Sequence, residues 1–433
     1  MGAASPAGRG EILAWACYDL ANSGYATVVL TAVYNAYFVS VVAGGDPALA
    51  PGAGTLVWTL ALAAANGLVL LTAPVIGAVA DHRAAKKPLL LATTVGCVAA
   101  TAALGLAGPG EWRFAAVLLA LSAYLFASGE NLVAAFLPEI ARDDQLGRIS
   151  AYGWALGYAG GVLILLLALA VIARAQAAGL GPETYVPWIL LGVAAVFALA
   201  ASPTFLFLRE RARPAGDGAG LAAAVAAGLG RLAETLRRAR HHRDLFRFLV
   251  TLTVYHAGIQ TVIVLAAVYA QEAMGMGQRE LLVLILVVNV TAALGALAFG
   301  HLQDRIGSVP TLAATLLLWI LALAVAWAAG GRAGMWVAGN LIGLAMGASQ
   351  SAGRALVAAF TPAGRAAEFF GLWGLAVKLA AVLGPPSYGL VAYLTGGDHR
   401  RALLTTAAYF VAGLVLLATV DERRGRAAAR AAR

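Results

Sequence analysis

The chain has 433 residues, of which 61% are hydrophobic and 12% are charged, and its formal net charge is +9. Its mean hydropathy of +0.82 excludes a string of ordinary soluble domains, in which about a quarter of the residues are charged. In a soluble chain the positive charge would indicate nucleic acid, but in a membrane chain basic residues first report topology, so no nucleic-acid partner is expected.

Apolar runs of about 20 residues, the length that crosses a bilayer, follow one another along the chain. They predict an all-α membrane protein with twelve transmembrane helices, separated by short stretches that contain Gly, Pro or charged residues. The predicted helices cover residues 12–42, 55–80, 87–107, 113–138, 149–173, 184–208, 245–271, 280–302, 308–329, 333–361, 366–393 and 401–420.

The first two helices contain two distinctive segments. WACYDLANSGYATVV in the first helix places Asp19 and Asn22 in an otherwise apolar span. GAVADHRAAKKPLL, after the second helix, combines a small residue with an acid and a basic cluster. Gly77 permits the close approach of two helices, while Asp81 and Arg83 are suited to a charge network that stabilises one conformation.

The fourth and fifth helices hold one acidic residue and a row of glycines. Glu130 lies near the end of the fourth helix, in GENLVAAFLP. Gly153, Gly157 and Gly161 are spaced four apart in GWALGYAGG, so they form a smooth face on the fifth helix. Such a face permits either sliding contact or tight static packing.

The longest loop divides the chain into two groups of six helices. We therefore expect an N-terminal bundle at 1–208, a linker at 209–243 and a C-terminal bundle with a basic tail at 244–433. Leucines and a valine at helical spacing in 221–236, followed by RRARHHR, predict an amphipathic helix that lies on the membrane surface. A solvated linker is the alternative.

The second group of helices also contains polar and charged residues. YHAGIQT in the seventh helix contributes His256 and Gln260, and SQSAGRAL in the tenth contributes Gln350 and Arg354. The other candidates are Asp304 and Arg305 in GHLQDR after the eighth helix, Lys378 in the eleventh helix, and Pro385 in GPPSYG, where a kink is expected.

Two segments indicate that the chain contains an internal duplication. GENLVAAFLP at the end of the fourth helix returns as GRALVAAFTP at the end of the tenth, with Glu130 replaced by Arg354. Six helices separate the copies, and an even number preserves orientation, so the halves are predicted to be parallel repeats. Most of the 30 Lys and Arg residues follow even-numbered helices or lie in the two tails, which predicts that both termini are cytoplasmic.

This arrangement resembles the major facilitator superfamily, whose signature after the second helix is similar to GAVADHRAAKK. The segments WACYDLANSGYATVV, LPEIA, ISAYGWALGYAGG, SQSAGRAL and EFFGLWGLAVKLAAVLGP resemble the branch that contains the fungal autophagy-related vacuolar amino-acid effluxer and its bacterial relatives. The resemblance implies the major facilitator fold and secondary transport. The chain departs from the branch at His256, where an acidic residue is expected, and at Val133 and Ala134, where Tyr and Asn are expected.

Four ionisable residues inside predicted helices are candidates for solute or proton contact. An ionisable group inside a membrane helix costs about 2.5 to 3.5 kcal/mol on insertion scales, so it normally faces the interior and is paired. Glu130 and Arg354 occupy equivalent places in the two repeats, so they either pair across a central cavity or contact opposite ends of a zwitterion. Structural ion pairs without ligand contact are the alternative for all four. These residues are Asp19, Glu130, Arg354 and Lys378.

Candidates are also assigned for three further roles: proton coupling, uncharged polar contacts and conformational change. Glu130 is the first candidate for proton coupling and His256 the second, with a packing role as the alternative for the histidine. The remaining polar candidates either hydrogen-bond a solute or join helices, at about 0.6 kcal/mol for each bond. They are Asn22, Gln260 and Gln350. The candidates for conformational change are Gly77, Asp81, Arg83, Gly153, Gly157, Gly161, Asp304, Arg305 and Pro385.

The expected function is secondary active transport of a small polar or zwitterionic solute, with amino-acid efflux as one form, by alternating access and with proton coupling. The alternative is proton-driven efflux of drug-like amphipathic compounds, for which Tyr18 and Trp373 offer aromatic walls. An enzyme is not expected, since the chain has no His-Glu-x-x-His, Gly-x-Ser-x-Gly or P-loop motif. Neither a metal nor a cofactor is expected, and the chain is expected to be a monomer in the cell (inner) membrane.

Overall fold

All regular structure in the described part of the chain is helical. The computed structural model describes residues 7–49, 53–212, 242–272, 274–276, 278–395 and 398–431, together with residues 225, 226, 230, 233 and 234. Most of the predicted amphipathic helix at 221–236 lies outside these described residues.

The helices follow the predicted spans closely, because apolar runs of this length are stable in lipid only when every backbone group is bonded within the segment. Two π-helical stretches, Ala26–Ala32 and Phe38–Ala43, join the first two helices into one span. The helices are α1 (Arg9–Tyr25), α2 (Tyr34–Tyr37), α3 (Ala53–Arg83), α4 (Lys86–Leu104), α5 (Trp112–Ala134), α6 (Leu137–Ile140), α7 (Leu146–Ala177), α8 (Pro182–Phe207), α9 (Arg243–Glu272), α10 (Gln278–Ile306), α11 (Ser308–Ala328), α12 (Arg332–Ala359), α13 (Ala366–Leu394), α14 (His399–Leu417) and α15 (Glu422–Ala431).

Eleven helical segments in the described residues are long and apolar enough to cross a membrane. The remaining predicted span is the tenth, at 333–361, which corresponds to α12; this helix is 28 residues long but more polar, since it contains Asn340, Ser349 and Arg354. Ser349 and Arg354 are buried between other helices, and Asn340 is partly buried. The outer surface is apolar, as expected for contact with lipid, and side chains such as Leu71 and Leu199 are more than 70% exposed there.

Helix packing repeats between the two groups of six. In the first group α1 packs against α7 and α8, α4 packs against α5 and α8, and α3 packs against α5. In the second group α9 packs against α13 and α14, α11 packs against α12 and α14, and α10 packs against α12. Each contact in the first group therefore has its equivalent six spans later. The groups meet mainly through α3 with α13 and α7 with α10.

Both ends of the described chain lie on one side of the bundle, which we term the terminal side. Glu11, in the first turn of α1, pairs there with Arg211 through two hydrogen bonds of 2.7 and 2.8 Å. The last helix, α15, reaches from the second group to the first, where Arg430 pairs with Asp143 at 2.8 Å. Gly307, with φ of 95°, adopts a left-handed conformation that glycine tolerates without strain, and so links α10 to α11 on this side.

Candidate functional site

The tightest polar contact between the two groups of helices is an ion pair. Arg354 on α12 donates from Nη1 to Asp19 Oδ2 on α1 at 2.7 Å. The same guanidinium donates from Nη2 to the backbone oxygen of Ser150 at 2.7 Å and from Nε to Ser150 Oγ at 3.1 Å. Arg354 is 3% exposed and Asp19 is 8% exposed. All three guanidinium nitrogens of Arg354 are therefore bonded to α1 and α7.

Two tryptophans from the first group enclose this guanidinium. Its carbon lies 4.9 Å from the ring centre of Trp15 and 5.3 Å from that of Trp154, distances typical of cation–π contact. Trp15 is held in place by a 2.8 Å bond from Nε1 to the backbone oxygen of Val133. The planar guanidinium of Arg can stack on the rings and bond several acceptors at once, whereas the compact ammonium of Lys cannot do both in this pocket.

The three spaced glycines of α7 lie against a polar stripe on the first span, which α1 and the π-helical stretch after it form together. A Cβ at Gly153 would overlap Asp19 Oδ2 and lie 2.6 Å from Arg354 Nη2. A Cβ at Gly157 would lie 2.9 Å from Ser23 Oγ, and one at Gly161 would lie 2.9 Å from Thr27 Oγ1. Each glycine thus accommodates one polar side chain of the first span. The glycine face packs against polar groups in this conformation.

The duplication places a second pair of residues at the equivalent site. A Cβ at Gly129 would lie 2.7 Å from Tyr18 Oη, and one at Gly353 would lie 2.7 Å from Tyr255 Oη. Tyr18 and Tyr255 are therefore equivalent, and so are the residues that follow them, Asp19 and His256. Since Glu130 and Arg354 also match, Glu130 with His256 is the counterpart of Arg354 with Asp19.

The two counterparts differ in how completely they are bonded. Glu130 on α5 interacts electrostatically with Lys378 on α13, and His256 on α9 also interacts with Lys378. Among the described residues neither Glu130 nor Lys378 has a hydrogen-bond or salt-bridge partner, and both remain partly exposed. The ring of His256 is buried, and its Nδ1 has no hydrogen-bond partner there. We term Glu130, Lys378 and His256 the central cluster.

The uncharged polar candidates differ in their burial and in their hydrogen bonds. Asn22 is buried, and its Oδ1 has no partner in the described part of the chain. Gln260, one turn beyond His256, is partly exposed. Gln350 donates to Tyr158 Oη at 3.1 Å and so links α12 to α7. An unbonded buried oxygen is costly, so the Asn22 side chain is suited to binding water or a solute.

Five of the predicted conformational residues, Gly77, Asp81, Arg83, Asp304 and Arg305, lie on the terminal side. Gly77 on α3 faces the start of α13, where a Cβ would overlap the backbone oxygen of Ala367 and lie 2.9 Å from Glu368 N. Asp81 Oδ2 accepts from Glu368 N at 2.8 Å, and its other oxygen lies 3.9 Å from Lys86 Nζ. Lys86 also pairs with Glu139. This acid therefore stabilises the N-terminus of a helix in the other group.

The equivalent crossing in the repeat, where the end of α10 meets the start of α7, uses the same kinds of contact. Asp304 at the end of α10 accepts from Gly147 N at 2.9 Å and from Arg148 N at 3.2 Å, at the start of α7. A Cβ at Gly147 would lie 2.8 Å from the backbone oxygen of Gly300. Arg305 is exposed and Arg83 is partly exposed at the helix ends. Helix α13 continues through Pro385 to Leu394.

Among the described residues, the hydrogen bonds that join the two groups of helices lie in one part of the bundle. Within the described ranges they run from the terminal side, where Arg426 and Arg430 contact Asp143, to the level of the Asp19–Arg354 pair and the Gln350–Tyr158 bond. Toward the opposite side no such bond joins the described residues. The structure is therefore closed on the terminal side, and within the central cluster Glu130 and Lys378 are partly exposed while His256 is buried.

Replacing Asp304 by Ala is expected to weaken this closure. The change removes the acceptor for two amide groups at the start of α7, a loss of about 1 kcal/mol for a helix cap. The population closed on the terminal side should fall about fivefold relative to the open one. Spin-label distances across the terminal side measure this shift. Asp144→Ala removes an exposed acid from the same region and should leave the distances unchanged; equal effects of the two changes would contradict the assignment.

Sequence patterns did not identify Trp15, Trp154, Ser150 or Tyr158 as parts of a site. Aromatic residues in apolar helices are usually core residues, and a serine beside small residues suggests only packing. Their common feature is visible only in three dimensions, where Trp15, Ser150 and Trp154 face the guanidinium of Arg354 and Tyr158 faces Gln350. The one signal in the sequence is the position of Trp154 directly after Gly153 in the glycine row.

Known proteins match this chain over most of its length. A family model described as "Vacuole effluxer Atg22 like" matches residues 57–430. An uncharacterized MFS-type transporter, YxiO of Bacillus subtilis, is 27% identical, and the alignment covers 94% of each chain. Autophagy-related protein 22-1 of Penicillium rubens is 25% identical over 64% of this chain. The present chain spans about half the length of that fungal relative.

Solved structures share the fold at low sequence identity. The human organic anion transporter MFSD10 superposes with a TM-score of 0.68 at 17% identity, covering 94% of this chain and 99% of that protein. The MFS transporter FucP in its outward conformation superposes with a TM-score of 0.72 at 15% identity, covering 95% and 98%. These similarities confirm the predicted fold of twelve membrane helices in two parallel repeats.

Proposed function

Because this chain belongs to the vacuole effluxer Atg22-like family and is a multi-pass membrane transporter of the major facilitator type, we propose that it exchanges a small polar or zwitterionic solute for protons. The observation that carries the proposal is the central cluster. Glu130 and Lys378 bring opposite charges from the two groups of helices, they interact electrostatically, and both are partly exposed and without bonded partners among the described residues.

Lys378 is the group that binds the anionic end of the solute. It lies twelve residues into α13, or about 18 Å from the terminal end of that helix, close to the middle of a bilayer. Its flexible stem allows the ammonium to follow a moving ligand. Arg354 is less suitable, since Asp19 and Ser150 already bond all its guanidinium nitrogens.

Glu130 binds either a proton or the cationic end of the solute. A carboxylate that serves both ligands in turn couples their movements in opposite directions, because one must leave before the other can bind. His256 and Gln260 line the same region and supply hydrogen bonds that fix the orientation of the solute. The family description, which refers to an effluxer, supports export as the direction of transport.

We also propose that the terminal side faces the cytoplasm and that the protein acts as a monomer in the cell membrane. The distribution of Lys and Arg supports this orientation, since basic residues accumulate in cytoplasmic loops. Protease accessibility in right-side-out vesicles tests it. The sites at Arg142 and Arg430 are then expected to be protected.

The proposal is tested by uptake into proteoliposomes with a panel of amino acids, sugars and cationic dyes. Exchange for protons predicts that an acidic lumen stimulates uptake of a polar zwitterion and that an alkaline lumen does not. Lys378→Met should remove uptake of solutes that contain a carboxylate, because the buried anion loses its partner.

Three outcomes would contradict the proposal. Movement of dyes alone would indicate the drug-efflux alternative, stimulation by an alkaline lumen would indicate symport, and equal rates with both gradients would exclude proton coupling. Lys87→Met is a matched control because Lys87 is a basic residue of the terminal side, away from the central cluster. It should leave the solute preference unchanged.

A further inference from the structure

The ion pair of Arg354 with Asp19 differs from a solute site because its cation is already fully bonded. The pocket consists entirely of groups from α1 and α7: the carboxylate of Asp19, two oxygens of Ser150 and the rings of Trp15 and Trp154. The cation comes from α12, in the other group of helices. This side chain therefore inserts across the boundary between the two groups.

The pocket requires a residue without a side chain at position 153, which is glycine. A Cβ at Gly153 would overlap Asp19 Oδ2 and lie 2.6 Å from Arg354 Nη2 and 3.1 Å from Trp15 Cζ3. Any side chain at this position would have to displace the bonded pair. In addition, Ser150 Oγ donates to the backbone oxygen of Ser351 at 2.9 Å, so the backbones on both sides of the pocket are held in register.

The counterpart formed by the repeat lacks this bonding. Glu130 and His256 occupy the equivalent positions, but the carboxylate has no bonded partner among the described residues, and Nδ1 of the ring is likewise unbonded there. The two sites related by the duplication therefore differ. At the Arg354–Asp19 site protein groups bond every guanidinium nitrogen, whereas at the Glu130–His256 site polar atoms are left without a bonded partner among the described residues. The Arg354–Asp19 site lies at the inner end of the hydrogen bonds that close the terminal side.

We propose that Arg354 is a positioning residue that latches the transporter in the conformation closed on the terminal side. When α12 moves away from α7 to open that side, the guanidinium must leave the Trp15–Trp154 pocket and separate from Asp19. The latch sets which side of the central cluster is accessible. It acts without touching the solute, so it is independent of what the protein transports.

The test measures conformation in the absence of solute. Spin-label pairs are introduced at Arg142 and Ala363 on the terminal side and at Ala48 and Gly330 on the opposite side, after Cys17 and Cys97 are replaced by Ala. All four labelled positions are exposed and outside the central cluster. Distances are measured by electron paramagnetic resonance in lipid nanodiscs.

When the Arg354–Asp19 pair is intact, the distance between the labels at Arg142 and Ala363 is expected to be short. Asp19→Asn and Arg354→Gln should lengthen the terminal distance and shorten the opposite one, lowering the closed population on the order of tenfold or more. Gly153→Ala should act in the same direction although both charges remain, because the added methyl group separates them. Gly192→Ala is the matched control, since a Cβ at that position meets nothing within 4 Å.

Each result bears on the latch separately from the solute proposal. If the charge variants do not fold, Gly153→Ala and the conservative Arg354→Lys still decide, since Lys lacks the planar fork that binds Asp19 and Ser150 together. Distances equal to those of Gly192→Ala, with or without loss of transport, would overturn the latch. A shift in opposite directions on the two sides would support it even if every solute in the panel failed.

Discussion

Replacement of Glu130 by Gln is expected to abolish the response of transport to a pH gradient. The side chain keeps its size and its place beside Lys378 but can no longer exchange a proton. Uptake driven by an acidic lumen should fall on the order of 10- to 100-fold, which corresponds to a coupling free energy of about 1 to 3 kcal/mol. The slow flux that remains should be the same at every lumenal pH.

The measurement compares initial uptake rates with and without the imposed gradient. Asp144→Asn is the matched control, because it removes an exposed carboxylate from the terminal side and should retain the full response. A Glu130→Gln protein that still responds to the gradient would exclude Glu130 as the proton site. His256, which is also a titratable member of the central cluster, would then be the residue to change.

Replacement of Gly77 by Val is the second change with a large expected effect. Gly77 lies where α3 crosses the start of α13, and a Cβ there would overlap the backbone oxygen of Ala367. Since the obstacle is backbone, the two helices must separate to admit a side chain. Overpacking of this kind costs about 1 to 3 kcal/mol, so the conformation closed on the terminal side should fall about 5- to 150-fold in population.

Transport should fall with it, because a carrier that cannot close one side cannot release its solute on the other. Transport rates and the distance between labels at Arg142 and Ala363 measure the effect. Gly67→Val on the same helix is the control, since a Cβ at Gly67 meets nothing within 4 Å. Equal behaviour of the two variants would mean that the contact between α3 and α13 does not limit transport.

The Gly77 and Gly153 predictions concern different layers of the same closure. Gly77 permits backbone contact at the terminal surface, whereas Gly153 makes room for a buried ion pair deeper in the bundle. Asp81 and Asp304 add hydrogen bonds to helix N-termini in the outer layer. Because the residues of the two layers do not touch but stabilise the same closed conformation, the free-energy effects of one substitution from each layer should add approximately.

Much of this architecture could be predicted from the order of residues along the chain. The length of each apolar run decided the number of helices, because a bilayer requires about 20 residues for each crossing. The repeated GENLVAAFLP and GRALVAAFTP segments indicated that the halves are parallel and that Glu130 and Arg354 are equivalent. The intramembrane charges marked the interior, since the cost of exposing them to lipid is high.

Only the tertiary structure decided which of those charges meet. Asp19 and Arg354 are separated by 335 positions in the chain, and they pair because α1 and α12 both pack against α7, where Gly153 leaves space for them. Equivalence by duplication predicts matching positions, but it does not predict partners, which depend on helix crossing distances of a few ångströms. For the same reason the aromatic pocket around Arg354 and the free capacity of Glu130 and Lys378 became visible only once the helices were assembled.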